Sequence, residues 1–342
     1  MINRDQISNL RKLFIENYQS DLAAKNPEGK IKELNENVPG QVRGLREKIH
    51  AVKNTSEKPS SIPLRQARSI AVTSGKGGAG KTNFVANLAV AFSKLGKKVL
   101  VLDADLGLAN IDVIYGIRPK YNLFHVITGQ RHIADIIVEG PAGVFLVPGG
   151  SGIVELANLN EGERKHFLSE MSELEKKVDI ILVDTSAGIN KNVLCFLRAC
   201  SEIIFITLPE PTAIADAYGI IKAVATGGEL SQKLSLVINR VSSSDEARDV
   251  YERLALVSKR FLNIIIEDMG YIVEDRAVPT AVRAQSPFII HSPHCEATRC
   301  IEGIAHKLLN IKKDAAGSEA SALNKIKEGF NSFFYRVSEL FN

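Results

Sequence analysis

The apolar positions of the chain change rhythm three times. Over residues 1–53 they are sparse. Leu10, Leu13, Phe14 and Tyr18 fall at helical spacing there, so a short amphipathic helix is expected, with a second over Val42–Val52. From Arg68 onward short β-rich runs recur: SIAVTS, KVLVLDAD, GVFLVPG, DIILVDTS, EIIFITLP and LSLVINRV. Each run is nearly continuous rather than alternating, the pattern of strands buried on both faces of a parallel sheet. Helical stretches such as Thr82–Lys94 and Asn192–Ala199 lie between several of them. Alternating strand and helix predicts right-handed crossovers and a doubly wound, mostly parallel α/β fold. Helical spacing returns at 321–342, where Leu323, Ile326, Phe330, Phe333, Phe334, Val337, Leu340 and Phe341 make one apolar stripe with Lys325, Lys327 and Arg336 beside or opposite it.

Two polar stretches separate these regimes. NTSEKPSSIP opens a linker over 54–67, and a second linker, Lys- and Gly-containing, covers 312–320. The organisation is therefore a helical region over 1–53, an α/β domain over 68–311 and a terminal amphipathic helix over 321–342, with no internal repeat.

Composition narrows the function. The 342 residues are 45% hydrophobic and 24% charged, ordinary for a globular protein. A net charge of +4 is too weak to argue for specific nucleic-acid binding. No apolar run is long enough to span a bilayer, and the charged N-terminus MINRDQISNL has no apolar core of a secretory signal, so a cytoplasmic location is expected. The four cysteines form two C-x4-C pairs, Cys195/Cys200 and Cys295/Cys300, which lack the closer knuckles of zinc sites and read as reduced core thiols.

The chemistry is concentrated where the first β-rich run meets Gly75-Lys76-Gly77-Gly78-Ala79-Gly80-Lys81-Thr82. This is G-x-x-x-x-G-K-[ST] between a strand and a helix, the context the motif requires. The glycines let backbone N–H groups turn onto phosphate oxygens, and the helix N-terminus adds its positive dipole end. Lys81 is then expected on the β- and γ-phosphates and the Thr82 hydroxyl on Mg2+. Asp103 and Asp105 close one run and Asp184 closes another. Ligands of open α/β sheets gather at the carboxyl ends of strands, so Asp184 is a candidate for holding Mg2+, with Asp103 supporting the metal or the loop.

Lys76 makes the loop resemble the deviant Walker A family that includes MinD, ParA and the nitrogenase iron protein. The resemblance implies an ATPase in which Lys76 crosses a homodimer interface to the partner's nucleotide. Asp105 then lies in a segment like switch I and orients the attacking water, and DTSAGIN resembles switch II. Asn239 of LVINRV matches the family's adenine-binding position, which favours ATP over GTP, with Arg240 flanking the base. Glu210 of TLPEPT matches a Pro-Glu step near the nucleotide. DTSAGI followed by TLPEPTAIADAYGIIK looks most like the FlhG group, also called FleN or YlxH, which regulates flagellar number; Ser186 departs from the usual Gly there.

Asp5-Gln6-Ile7-Ser8-Asn9-Leu10-Arg11 resembles the activator motif of that group, which implies stimulation of an FlhF-type GTPase through Asp5, Gln6, Leu10 and Arg11. Ile7 replaces the usual Ala. Further partners the resemblance points to are flagellar C-ring proteins or a flagellar transcription regulator. The terminal stripe, through Leu323, Ile326, Phe330, Phe333, Phe334, Val337 and Phe341, is expected to lie reversibly on the inner face of the cell membrane, with docking on the core as the alternative. A MinD-like division-site regulator and a ParA-like DNA segregation ATPase are the competing readings; the N-terminal extension argues against the first and the modest charge against the second.

Overall fold

The computed structural model describes residues 67–105, 110–150, 161–226, 230–310 and 333–340. The predicted activator motif and the tail positions Leu323, Ile326, Phe330 and Phe341 lie outside the described residues.

The strands are β1 (Arg68–Thr73), β2 (Val99–Ala104), β3 (Val138–Glu139), β4 (Phe145–Pro148), β5 (Ile180–Thr185), β6 (Glu202–Thr207), β7 (Lys233–Val241) and β8 (Glu267–Val273). They form one sheet in the order β3-β4-β2-β5-β1-β6-β7-β8. Every pairing is parallel except β3 with β4. The near-continuous apolar runs explain this: β2 and β5 are buried at every position, so both faces must be covered. The sequence pattern does not announce β8, whose run EDMGYIV starts on two exposed acids and contains Gly270. It is an edge strand, paired only through β7.

The helices are α1 (Lys81–Lys94), α2 (Ile111–Tyr115), α3 (Leu123–Ile127), α4 (Ile133–Ile136), α5 (Glu161–Glu175), α6 (Lys191–Ala199), α7 (Pro211–Thr226), α8 (Ser244–Leu262), α9 (Ala277–Arg283), α10 (Phe288–His291), α11 (Glu296–Leu308) and α12 (Phe333–Leu340). The chain moves one way along the sheet from β1 through β2 to β4, and the other way from β5 to β8. Right-handed crossovers therefore put α1 on one face and α5 to α8 on the other. The return helix α11 packs on α1 and β8 and completes the first layer. The order reverses beside β1, so the crevice at the carboxyl ends of the central strands is the expected ligand position.

The described part of the tail does not face outward. α12 lies across α5 and α6, with Phe333, Phe334 and Val337 buried. The Phe333 and Phe334 rings meet edge to face at 4.8 Å. Polar contacts fix the helix as well: Arg336 Nε donates to the Ala199 carbonyl at 2.6 Å, its guanidinium reaches Ser69 Oγ at 3.4 Å, Phe333 N–H donates to Glu175 Oε1 at 3.1 Å and Cys195 Sγ donates to the Leu340 carbonyl at 3.0 Å. Of the stripe expected to meet a membrane, the described positions Phe333, Phe334 and Val337 are thus covered by the protein's own helices. The reason is elementary: an isolated helix of this length is unstable in water, and each apolar side chain it buries contributes about 1.5–3 kcal/mol.

Candidate nucleotide site

The phosphate loop leaves β1 through Ser74 and enters α1 at Gly80, which caps the helix in the left-handed region at φ 91° with no side-chain cap. Gly78 shares that conformation at φ 79°. The first turn of α1 carries no acidic residue, which leaves its amide end favourable to an anion. Gly75 is needed for a different reason: a Cβ there would overlap the backbone of Asp216, so the first turns of α7 sit hard against the loop.

Lys81 is buried, and its Nζ donates to Ser74 Oγ at 3.1 Å. Burial pulls its ammonium below the usual value, opposed by Asp184 and then Asp105. Register brings two predicted acids side by side, because Asp103 of β2 pairs with Asp184 of β5. Burial pushes the Asp184 carboxyl up to about 8; Asp103 adds to the shift, while a hydrogen bond with Thr82 and the Lys81 charge oppose it. Asp184 Oδ1 is buried with no hydrogen-bond partner. A buried carboxylate oxygen aimed beside a Thr hydroxyl and a lysine is a costly arrangement on its own. It fits a divalent cation, which Thr82 and Asp184 would hold.

Asp103 is used differently. Its Oδ1 accepts from Asp105 N–H at 3.2 Å and its Oδ2 from Asn110 and Ile111 N–H at 3.1 and 3.3 Å. Both oxygens are thus spent on the loop after β2, so of the two roles open to it the geometry favours loop support over metal ligation. Burial raises its carboxyl to about 6, with those same N–H groups pulling it down. Asp105, two residues on, is partly exposed, and its charge acts on Lys81. The segment resembling switch II is tied back to β1: Gly188 N–H donates to the Ser74 carbonyl at 3.0 Å and Thr185 Oγ1 to the Val72 carbonyl at 2.9 Å. Ser186 accepts weakly from Asn190 Nδ2 at 3.5 Å, and Asn190 then caps α6 by accepting from Val193 N–H at 2.9 Å.

Lys76 stands on the outer rim, about half exposed, and pairs with Glu210 Oε2 at 3.2 Å. The two residues therefore meet each other in one chain. Beyond the loop a cavity of about 430 Å3 is lined by Gly78, Gly80, Phe84, Asn239, Arg240 and the segment from Ile272 to Asp275, with Val278, Val282, Arg283 and Phe288. Its size and largely apolar wall suit a planar base. Arg240 pairs with Glu274 on the cavity's own wall, with Nε 2.6 Å from Oε2. The wall from β8 and α9 was not predicted, because those residues are recruited by a strand the sequence pattern hides.

A glycine loop running from the central strand into an uncapped helix, with a buried lysine and an unsatisfied carboxylate beside it, defines a P-loop nucleotide-binding protein. The comparisons agree. Residues 70–288 match the CobQ/CobB/MinD/ParA nucleotide binding domain. The antiactivator FleN of Pseudomonas aeruginosa is 37% identical over 239 residues, 70% of this chain and 85% of that protein. The flagellum site-determining protein YlxH of Helicobacter pylori is 36% identical over 269 residues, 78% of this chain and 88% of that protein. The cell division ATPase MinD of Pyrococcus furiosus shares the fold, with a TM-score of 0.58 at 24% identity, covering 72% of this chain and 100% of that one. The chain belongs to the MinD/ParA family of nucleotide-binding proteins and, within it, to the FleN/YlxH group.

Proposed function

We propose that the protein is an ATP-dependent dimerising switch that regulates flagellar number or placement and exchanges its tail helix between its own core and the membrane. The observation that carries this reading is the site itself. Lys81, Thr82 and Asp184 converge at the strand ends, while Lys76 is left on the rim, where among the described residues it pairs with the exposed Glu210. An exposed pair of this kind is worth about 0–1 kcal/mol, so Lys76 is readily given up to a phosphate brought by a second copy.

In this mechanism the loop amides and Lys81 bind the β- and γ-phosphates, and Thr82 and Asp184 would hold Mg2+, which would supply positive charge against the phosphates. Asp105 orients the attacking water. Asn239 and the cavity beside it take adenine, with Arg240 at the edge. Hydrolysis ends the dimeric state, and turnover is slow because it serves as a timer. The flagellar role is supported by the name of the YlxH relative, a flagellum site-determining protein.

The tail is the output. Docked on α5 and α6 it is hidden; two tails freed on one dimer bind lipid more strongly than one through effective concentration. The N-terminal region supplies the second output, with Gln6 of the motif Asp5–Arg11 acting on an FlhF-type GTPase. Deleting residues 1–20 is expected to leave basal ATP hydrolysis unchanged and to remove GTPase stimulation, with Gln6→Ala reproducing much of the loss. GTP turnover measured with purified FlhF is the test, and full stimulation by the truncated chain would sink this part of the proposal.

A further inference from the structure

We infer that Asn239 is a positioning residue for the phosphate loop: its carboxamide holds the Ala79–Gly80 peptide in the orientation that aims the loop at phosphate, independently of any contact with a base. The inference rests on the reading of this loop as the triphosphate site.

The geometry is built from both ends. Asn239 Nδ2 donates to the Ala79 carbonyl at 2.8 Å, across 160 residues of sequence. The contact is close enough that a Cβ on Gly80 would overlap the Asn239 amide. A peptide is planar, and its C=O and N–H point in opposite directions. Holding the Ala79 carbonyl therefore sends the Gly80 N–H to the far side of the loop, away from Asn239. Gly78 and Gly80 have no strong backbone preference of their own, so the loop's orientation has to come from such outside contacts.

The donor is itself fixed. Asn239 Oδ1 accepts from Arg240 N–H at 2.9 Å, which sets the rotation of the amide. Arg240 sits at a register shift between β7 and β8, in the left-handed region at φ 59°. Bulges of this kind re-aim side chains beside functional sites, and a non-glycine residue in that region persists only when its surroundings hold it. Here the Arg240–Glu274 pair at 2.6 Å and the Glu274 N–H to Val241 carbonyl bond at 2.9 Å pin the bulge to the end of β8. An amide has two donors and two acceptor sites, so one of each remains for adenine. The same side chain can therefore read the base and brace the loop.

A ligand without a base separates the two roles. Binding of Mg-ATP and of Mg-tripolyphosphate to the full chain is measured by calorimetry for the wild type, Asn239→Ala and Asn239→Asp. The aspartate keeps the acceptor for Arg240 but has no N–H for Ala79. The expected result is a loss of about tenfold for both ligands in Asn239→Ala, from the hydrogen bond removed, and at least as large a loss in Asn239→Asp, with melting temperatures near that of the wild type. Weakened ATP binding with unchanged tripolyphosphate binding would restrict Asn239 to the base and overturn the inference. Amide hydrogen exchange over residues 75–81 in nucleotide-free protein is the readout that needs no ligand: both variants are expected to exchange faster, and protection equal to the wild type would also overturn it. A wild type that binds neither ligand would instead count against the nucleotide reading itself.

Discussion

Asp184 carries two opposed demands, and they give a prediction at the scale of one residue. Its folded-state pKa is raised from the ordinary carboxylate value to about 8, chiefly by burial. Without metal, the stability this group contributes is fully present below the unfolded pKa and is lost as pH rises through about 8, since the folded state binds the extra proton. Asp184→Asn removes the ionisation. It is expected to raise the melting temperature at pH 8 in metal-free buffer by several degrees, each kcal/mol being worth roughly 2–4 °C in a domain of this size, and to flatten the pH dependence. The same variant is expected to lose Mg2+-dependent nucleotide binding. Scanning calorimetry at pH 5 and pH 8 checks this; a variant less stable than the wild type at pH 8 would mean that the ionised carboxylate is well satisfied. Lys81→Ala tests the neighbouring residue. Lys81 contacts phosphate in the ground state, so nucleotide binding is expected to vanish in calorimetry, whereas Asp105→Ala is expected to bind normally and fail to hydrolyse.

At the scale of the element, α6 is the connection between site and tail. It starts at Asn190, where the segment resembling switch II ends, and it carries Cys195 and Ala199, which bond to α12. The helix thus joins the nucleotide site to the docked tail in one element. Arg336→Ala removes the bonds to Ala199 and Ser69 but leaves the apolar stripe whole. It is expected to increase pelleting with anionic vesicles in ADP severalfold and to leave pelleting in ATP nearly unchanged. Phe334→Glu is expected to abolish pelleting in both states and also to lower the melting temperature, because the ring is buried in the docked position. Vesicle pelleting of Arg336→Ala that stays as low in ADP as for the wild type would show that docking does not regulate the tail.

The elements also show what a sequence can disclose. Strands such as β2 and β5 were legible because burial on both faces leaves no alternation to misread. The apolar stripe of α12 was legible too, but a stripe states only that a helix needs cover, and here the cover comes from α5 and α6. The edge strand β8 was hidden by its leading acids, and with it the outer wall of the base cavity. Asn239 was legible as a base contact, yet its bond to Ala79 depends on a bulge at Arg240 that no periodicity records.

For the whole molecule, the sheet sorts the functions. The nucleotide loop, Asp103, Asp184 and Lys76 lie at or beyond the carboxyl ends of the strands. The tail's polar anchors, Ser69 and Glu175, lie at the amino ends of β1 and β5. In the proposed switch, dimerisation at one end and tail release at the other would need a path through the core rather than a shared surface. Lys76→Ala is expected to bind nucleotide as a monomer with affinity near that of the wild type and to lose ATP-dependent dimerisation, which sizing chromatography with and without ATP would reveal. In the proposed switch ATP, and not ADP, joins two copies. Light scattering on Asp105→Ala, which is expected to retain bound ATP, measures this directly for a chain of 37.3 kDa. Twice that mass is expected with Mg-ATP and the monomer mass with Mg-ADP; the monomer mass with both nucleotides would rule out an ATP-dependent dimer.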